Sequence, residues 1–338
     1  MPDAAVGLIL RSLLCMLVLI AGYEMAFRAL RSSYMPRADS VPILNAMTAQ
    51  NYLYERGDSP VVIVGSSLSG RLQADLLDAH TYNLAFGGLS ALDGLELVNH
   101  ASTQPQLLLI ESNVLFRPAR KSFLDRLLSP PMVWLRKPMW VMRDVARPLT
   151  VALSYAQSLA RRLMPASSAA AAVATPMPAV AGPPAAVVAS VPAAGSLFDR
   201  MLDLQRVAYA REISADERTI MLDSLSRNLQ VLKTRGVHVL FFEMPTHPDL
   251  CELPRQEGLR ENLRAAFPDV PYVRLGECQG IQSTDGVHLT LDEARQVAVL
   301  INRLVERQLR EFLAQPQAAQ SAARFTQYEC QERSFCTS

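Results

Sequence analysis

The sequence PVVIVGSSLSG, residues Pro60–Gly70, contains the clearest strand of the chain. Its apolar residues Val61–Val64 run without a break into a turn of glycine and serines. Such a run is typical of a strand buried on both faces of a parallel sheet. Other short apolar segments of the same character predict four more strands: Tyr82–Phe86, Gln106–Ile110, Val237–Phe242 and Pro271–Leu275.

Segments with apolar residues at helical spacing lie between these strands. They are Arg71–His80, Ala91–Ser102, Ala215–Thr234, Gln256–Phe267 and Leu291–Leu313. Strands that alternate with helices favour a parallel sheet covered by helices on both faces. We therefore predict an α/β fold, a three-layer α/β/α domain with a five-stranded parallel sheet.

An apolar segment near the N-terminus, residues 4–27, predicts a membrane helix. Its uninterrupted core is Ser12–Tyr23, and counting through Arg11 gives about 20 residues, enough for one span. No small-x-small cleavage site follows it convincingly, which favours an uncleaved anchor over a cleaved signal peptide or a buried core helix. The positive-inside rule favours a cytoplasmic C-terminal side, because three arginines follow the span. They are Arg28, Arg31 and Arg37.

A long interval, residues 117–213, interrupts the alternation of strands and helices. Its first part, Arg117–Met164, contains ten basic and two acidic residues and both tryptophans, Trp134 and Trp140. This composition suits a membrane interface or an anionic polysaccharide, and a solvated cap over the site is the alternative. The Ala/Pro/Val-rich stretch Ala166–Ala194 predicts a flexible linker, because its prolines forbid a long helix.

These segments divide the chain into an anchor, a juxtamembrane segment, an α/β domain, an insertion and a tail. Their boundaries are 1–30, 31–59, 60–116 with 214–313, 117–213 and 314–338.

The chain carries 33 Lys and Arg against 32 Asp and Glu, so its net charge of +1 predicts no nucleic-acid partner. Its five cysteines are too few for a disulfide scaffold and lack zinc spacing.

Polar motifs follow the predicted strands or precede the last helix. They are Gly65–Leu68, Asn83–Gly88, Glu111–Asn113 and Asp285–His288. The carboxyl ends of the strands in an open α/β sheet form the edge where ligands bind. The sequence therefore predicts that these four motifs meet in one site.

The residues of these motifs suit acyl transfer by a serine. Ser67 is the candidate nucleophile, His288 its base, and Asp285 the group that orients the imidazole. The developing oxyanion needs hydrogen-bond donors. Candidates are the Ser67 N–H, a glycine N–H at Gly88 or Gly87, and the Asn113 side-chain amide.

The order of these motifs resembles the SGNH/GDSL hydrolase superfamily, whose blocks are named for Ser, Gly, Asn and His. Ser67 matches the nucleophile, with G-S-S in place of G-D-S. Gly88 matches the second block, with Gly87 as the alternative. Asn113 matches the third, with E-S-N in place of G-x-N-D, and Asp285–His288 matches the D-x-x-H of the last.

In these differences from the common motifs, the sequence resembles the membrane-anchored members of the superfamily that act on bacterial cell-surface polysaccharides. These members include alginate-acetylation and teichoic-acid D-alanylation proteins. The resemblance implies O-acyl transfer, in the first instance O-acetyl transfer, to a cell-envelope or exported glycan through a serine acyl-enzyme. An esterase of the same fold and a non-catalytic subunit of an exopolysaccharide assembly machine are the alternatives. The resemblance implies no metal and no cofactor.

It also implies a location and partners. The chain would be a single-pass protein of the bacterial inner membrane with a periplasmic catalytic domain, against the positive-inside rule. Its partners would be the glycan, the membrane through the N-terminal helix, and a membrane-bound acyltransferase.

Further polar residues are candidates for substrate contacts. The predicted rim of the site contains Gly87, Glu111 and His247. The alternatives are that Glu111 is buried and that His247 is an ordinary loop histidine.

In a periplasmic domain two cysteine pairs become possible. They are Cys251 with Cys278 and Cys330 with Cys336, which leaves Cys15 free in the span.

Overall fold

The computed structural model describes residues 2–30, 40–152, 156 and 196–313. The chain forms two compact units. The anchor unit comprises Met1–Arg56 and Arg120–Gly182, and the sheet unit comprises Gly57–Ala119 and Pro183–Ser338. The predicted linker, the polar tail and Cys330 with Cys336 lie outside the described residues.

The sheet unit contains five strands. They are β1 Val61–Gly65, β2 Thr81–Ala85, β3 Leu107–Glu111, β4 His238–Glu243 and β5 Tyr272–Arg274. The α-helices of the described residues include α1 Pro2–Leu30, α2 Val41–Asn51, α3 Ala91–His100, α4 Lys121–Leu128, α5 Pro130–Arg136, α6 Leu197–Ala210, α7 Ala215–Thr234, α8 Pro248–Cys251, α9 Pro254–Ala266 and α10 Leu291–Leu313.

All strand pairs are parallel, in the order β2-β1-β3-β4-β5, so the predicted five-stranded parallel sheet is confirmed. β1 and β3 are buried along their whole length and lie side by side at the centre. A central strand meets helices on both faces, which explains its continuous apolar sequence.

Helices cover both faces of the sheet. On one face, Ile63, Leu109 and Phe242 pack with apolar residues of α10 such as Ile301. On the other face, α3 contacts β1 and β2, and α7 contacts β4. The three-layer α/β/α arrangement is therefore confirmed.

The helix predicted at Arg71–His80 is wrong. A single 3₁₀ turn, Ser69–Arg71, is followed by irregular turns. Asn83 donates from its side-chain amide to the carbonyls of Ser69 and Leu72, at 2.8 and 2.9 Å. The Leu72 carbonyl, which lies inside the predicted helix, thus pairs with a side chain and not with a helical N–H group.

A second difference is α6, which lies in the stretch assigned to the insertion. It begins with a capping box in which Ser196 and Asp199 bond each other's backbone N–H groups. The sequence signal was therefore present, because a serine followed three residues later by an acidic residue is typical of a helix start.

In the anchor unit, α1 contains a candidate membrane span, Val6–Ala29, with a mean hydropathy of 2.2. It is the one helix of the described residues whose length and composition suit a span. The apolar side chains of Leu10, Leu14 and Leu19 along it are exposed. The span agrees in length and composition with the predicted anchor.

Part of the predicted insertion packs onto the C-terminal end of α1. Glu24 accepts the backbone N–H groups of Trp140 and Val141, at 3.0 and 2.7 Å. The Tyr23 hydroxyl donates to the carbonyl of Ala146 at 2.6 Å. α1 is therefore a structural element of the anchor unit as well as a candidate span.

Two basic residues of the insertion are buried. Arg136 donates to the carbonyl of Arg126 at 3.1 Å, and Arg143 donates to the carbonyls of Arg136 and Lys137 at 2.8 and 3.0 Å. The Arg143 guanidinium also lies 4.0 Å from the ring centroid of Trp140. These two charges hold the segment together and are not available to an anionic surface.

One predicted disulfide is confirmed. Cys251 and Cys278 are bonded, with 6.3 Å between their Cα atoms, and Cys15 is free and exposed. The bridge links α8, which follows β4, to the loop after β5. It therefore ties together two segments at the carboxyl edge of the sheet.

Two mid-helix glycines give a matched test of the packing of α3. A Cβ on Gly94 would lie 2.8 Å from the Cβ of Val64, whereas a Cβ on Gly258 in α9 would meet nothing within 4 Å. Gly94→Ala should lower the free energy of unfolding by about 1–3 kcal/mol through overpacking. Gly258→Ala should raise it by about 0.5–1 kcal/mol. Urea denaturation of the detergent-solubilised protein measures both, and equal effects of the two variants would contradict the packing of α3.

Candidate active site

The structure brings together three of the predicted site residues, Ser67, His288 and Asp285. His288 Nε2 lies 2.8 Å from Ser67 Oγ. His288 Nδ1 lies 2.6 Å from Asp285 Oδ2. All three side chains are largely buried, and Ser67 is 7 % exposed. The imidazole therefore lies in hydrogen-bond reach of both partners, the geometry that a serine nucleophile requires.

A tight loop holds Asp285 and His288 in place. Asp285 Oδ1 accepts the backbone N–H groups of Val287 and His288, at 3.1 and 2.8 Å. The Thr284 N–H donates to the His288 carbonyl at 2.8 Å, which closes the loop. Gly286 has a φ of 95°, a left-handed conformation that favours glycine. The D-x-x-H spacing therefore brings the two side chains together through this turn.

Helix α6 supports the loop from behind. Leu202 and Tyr209 of α6 form a buried cluster with Leu250 and Val287. A Cβ on Gly286 would lie 2.8 Å from Leu202 Cδ1, so the loop and the helix are in close contact. Sequence reasoning missed this support because it placed α6 outside the α/β domain.

Asp285 is the charged member of the group. Burial raises the pKa of Asp285. The opposing effects are larger and hold the pKa below its ordinary value: the hydrogen bond from the His288 ring, the charge of that ring, and the backbone N–H groups of His288 and Val287. The ionised carboxylate accepts a hydrogen bond from the Nδ1–H of His288, which leaves Nε2 free to accept the proton of Ser67.

Glu111 is buried and hydrogen-bonded to the turn after β1. Its side chain is 1 % exposed. Its carboxylate accepts hydrogen bonds from the backbone N–H and the hydroxyl of both Ser66 and Ser69, at 2.5–3.0 Å. Of the alternatives considered for this residue, the structure supports the buried one.

Asn113 is also buried and hydrogen-bonded inside the domain. It is fully buried, and its side chain bonds both backbone polar groups of Met244, which follows β4, at 2.9 and 2.8 Å. The amide links the ends of β3 and β4. This burial and the bond to Met244 disfavour Asn113 as an oxyanion donor, and its expected role stays an untested prediction.

Two backbone donors remain near the serine. Within the described residues, neither the Ser67 N–H nor the Gly88 N–H has a hydrogen-bond partner. Gly88 has a φ of 72° in the loop after β2, a left-handed conformation, and Gly87 precedes it. β2 neighbours β1 in the sheet, so both donors lie at the same edge.

His247 has contacts that are structural. Its backbone N–H donates to the Gly286 carbonyl at 2.8 Å, and its Nδ1 accepts the N–H of Asp249 at 3.3 Å as the N-cap of α8. Its ring meets the edge of Phe198. These contacts favour the ordinary loop histidine over a substrate-binding residue.

No group of three or more His, Cys, Asp or Glu side chains among the described residues could hold a metal ion. The donor set at the site consists of one serine, one histidine and one carboxylate that are hydrogen-bonded to one another. The chemistry that this set offers is proton transfer and nucleophilic attack by an alcohol.

Comparison with known proteins gives little further information. No protein-family model and no curated protein matches the chain. A similar solved structure is a protein of Bacteroides fragilis described as a "putative acylhydrolase", with 12 % sequence identity and a TM-score of 0.37. The match covers 81 % of this chain and 100 % of that one. The sequence identity and the TM-score are too low to carry the neighbour's description over to this chain, whose chemistry rests on its own residues.

The lowered pKa of Asp285 makes the stability of the sheet unit depend on pH. The bond to His288 stabilises the fold fully above the ordinary aspartate pKa of about 3.9, and this contribution is lost as pH falls through the lower folded value. Asp285→Asn should therefore cost about 1–3 kcal/mol at neutral pH and reduce the further loss on acidification. Urea denaturation across this pH range measures both effects.

The matched control is Asp292→Asn, because the Asp292 side chain is 86 % exposed. It should change the free energy of unfolding by no more than about 0.5 kcal/mol at any pH. An Asp285→Asn variant with the acid dependence of the wild type would show that this carboxylate does not carry the linkage.

Proposed function

We propose that the chain is a serine-dependent enzyme that forms an acyl-enzyme at Ser67 and transfers the acyl group to a glycan hydroxyl. The observation that carries the proposal is the continuous hydrogen bonding from Ser67 Oγ to His288 and on to Asp285, at 2.8 and 2.6 Å. A structural serine needs only one hydrogen-bond partner, whereas this chain of bonds is what general-base activation requires.

The proposed reaction has two halves. Ser67 Oγ attacks the carbonyl carbon of an ester while its proton passes to His288 Nε2, and the alcohol then leaves with that proton. The acyl group is now an ester of Ser67. A second hydroxyl, from a sugar or from water, gives its proton to His288 and attacks the acyl carbon, after which Ser67 recovers its proton.

The oxyanion formed in each half needs donors at about 3 Å. The Ser67 and Gly88 N–H groups are the proposed donors, because they lie at the same edge and are not bonded to other described residues. Asn113 is not among the proposed donors, because its side chain is buried and bonded to Met244.

The nature of the acceptor separates a transferase from an esterase, because both share the same acyl-Ser67. Transfer to a cell-envelope or exported glycan is the leading proposal, and ester hydrolysis is the second. The retained anchor supports transfer, since it would keep the site beside a membrane partner that delivers the acyl group.

Labelling with a fluorophosphonate tests the acyl-enzyme. The wild-type protein should be labelled at Ser67 and cleave an aryl ester, and Ser67→Ala and His288→Ala should each reduce kcat by about 10³-fold or more. Ser224→Ala, a buried serine of α7, and His100→Ala, an exposed histidine of α3, are the matched controls. A wild-type protein that is not labelled at Ser67 would rule out the enzyme.

The ester content of the purified surface glycan extends this test in cells. Less ester in Ser67→Ala cells indicates a transferase, and more ester indicates an esterase. Unchanged ester with normal polymer export would favour a non-catalytic subunit of a polysaccharide assembly machine.

We further propose that α1 is an uncleaved anchor of the inner membrane and that the sheet unit is periplasmic. Cleavage of α1 would remove Tyr23 and Glu24, which bond the insertion. The Cys251–Cys278 disulfide supports an oxidising compartment. These two observations outweigh the arginines after the span.

Alkaline phosphatase fused to the C-terminus tests this orientation. The fusion should be enzymatically active, because the phosphatase folds only outside the cytoplasm, and the full-length chain should remain in the membrane fraction. A matched green fluorescent fusion should be dark. Bright fluorescence with inactive phosphatase would place the sheet unit in the cytoplasm.

A further inference from the structure

We infer that Glu111 is a positioning residue for Ser67, in that its buried carboxylate fixes the turn that carries the candidate nucleophile. The inference rests on the proposed function and adds to it a residue that touches neither substrate nor reacting atoms. It also gives a role to Ser66 and Ser69, the serines that flank the nucleophile and its neighbour in the sequence.

The first step is the reach of Glu111 across the sheet. Glu111 is the last residue of β3, and β3 pairs in parallel with β1, so its side chain meets the turn that follows β1. Oε1 accepts the Ser66 hydroxyl at 2.5 Å, and Oε2 accepts the Ser66 N–H at 2.9 Å. Oε2 also accepts the Ser69 N–H and hydroxyl, at 3.0 and 2.6 Å.

The second step is the effect of these bonds on the turn. Glu111 accepts hydrogen bonds from the N–H groups of Ser66 and Ser69. The Leu68 N–H donates to Ser66 Oγ at 3.2 Å, and the Gly70 N–H donates to the Ser66 carbonyl at 3.0 Å. The Ser67 N–H, which lies between these bonded groups, has no partner among the described residues. The carboxylate therefore fixes the turn on both sides of Ser67 and leaves that one N–H for an oxyanion.

The third step is why a carboxylate is needed. Four donors converge on this side chain, and an ionised carboxylate is an acceptor with about four lone-pair sites and no donor of its own. A glutamine in its place would turn an NH₂ group towards some of these donors. Gly65 also makes room for the carboxylate, because a Cβ there would lie 2.6 Å from Glu111 Oε2.

The fourth step connects the turn to catalysis. The Ser67 Oγ has to stay within hydrogen-bond distance of His288 while its N–H points at the oxyanion. A displacement of about 1 Å in such a group can cost about 100-fold in rate. Loosening of the turn should therefore reduce the rate of the chemical step and leave substrate binding intact.

The experiment compares Glu111→Gln and Ser66→Ala with the wild type, using an aryl ester and a fluorophosphonate. We expect kcat and the rate of Ser67 labelling to fall about 10- to 100-fold with KM unchanged. Ser66→Ala is the milder variant, because it removes one hydroxyl and keeps the carboxylate.

Ser112→Ala is the matched control. Ser112 is fully buried and adjacent to Glu111, but its hydroxyl bonds the Phe242 carbonyl and the Tyr272 hydroxyl, at 3.1 and 3.0 Å, away from the turn. It should change the melting midpoint about as much as Ser66→Ala does and leave kcat unchanged. If the role of Glu111 were purely structural, the melting midpoints would fall, but kcat of Glu111→Gln and Ser66→Ala would not fall below kcat of Ser112→Ala.

The outcomes separate the inference from the proposed function. Wild-type kcat and labelling in Ser66→Ala and Glu111→Gln would overturn the positioning role and leave the enzyme standing. A wild-type protein without Ser67-dependent labelling would overturn both. Loss of kcat in Ser66→Ala, with the control unaffected, supports the role even where Glu111→Gln fails to fold.

Discussion

The parallel pairing of β1 with β3 is the constraint on which the candidate site depends. It places the turn after β1 and the last residue of β3 at one edge of the sheet, so that Glu111 meets Ser66 and Ser69. The same edge receives the loop that carries His288, more than 200 positions after Ser67 in the chain. Without this register, the Glu111 carboxylate would not reach the two serines of the turn.

Two departures from the common SGNH/GDSL motifs contact each other in this structure. Ser66 stands where G-D-S has its aspartate, and Glu111 stands where G-x-N-D has its glycine. Their side chains are 2.5 Å apart, so a carboxylate is still present at the turn, although it comes from β3 and not from the turn itself.

The sequence predicted the strands well because a strand buried on both faces needs a continuous apolar run. It also predicted that Ser67, His288 and Asp285 lie together, since D-x-x-H and the serine turn are local patterns. It failed at Arg71–His80, where the side chain of Asn83 from β2 replaces helical hydrogen bonds. It did not reveal the partners of Glu111 and Asn113, because these partners follow other strands and no local pattern indicates such contacts.

The contact of Glu24 with the backbone of Trp140 and Val141 has a consequence for the order of folding. The partners are more than 110 positions apart in the sequence, so α1 leaves the ribosome long before its partner segment exists. The anchor unit can close only after β1, β2 and β3 have been synthesised. The C-terminal turns of α1 therefore lack this contact until a segment from the middle of the chain has been synthesised.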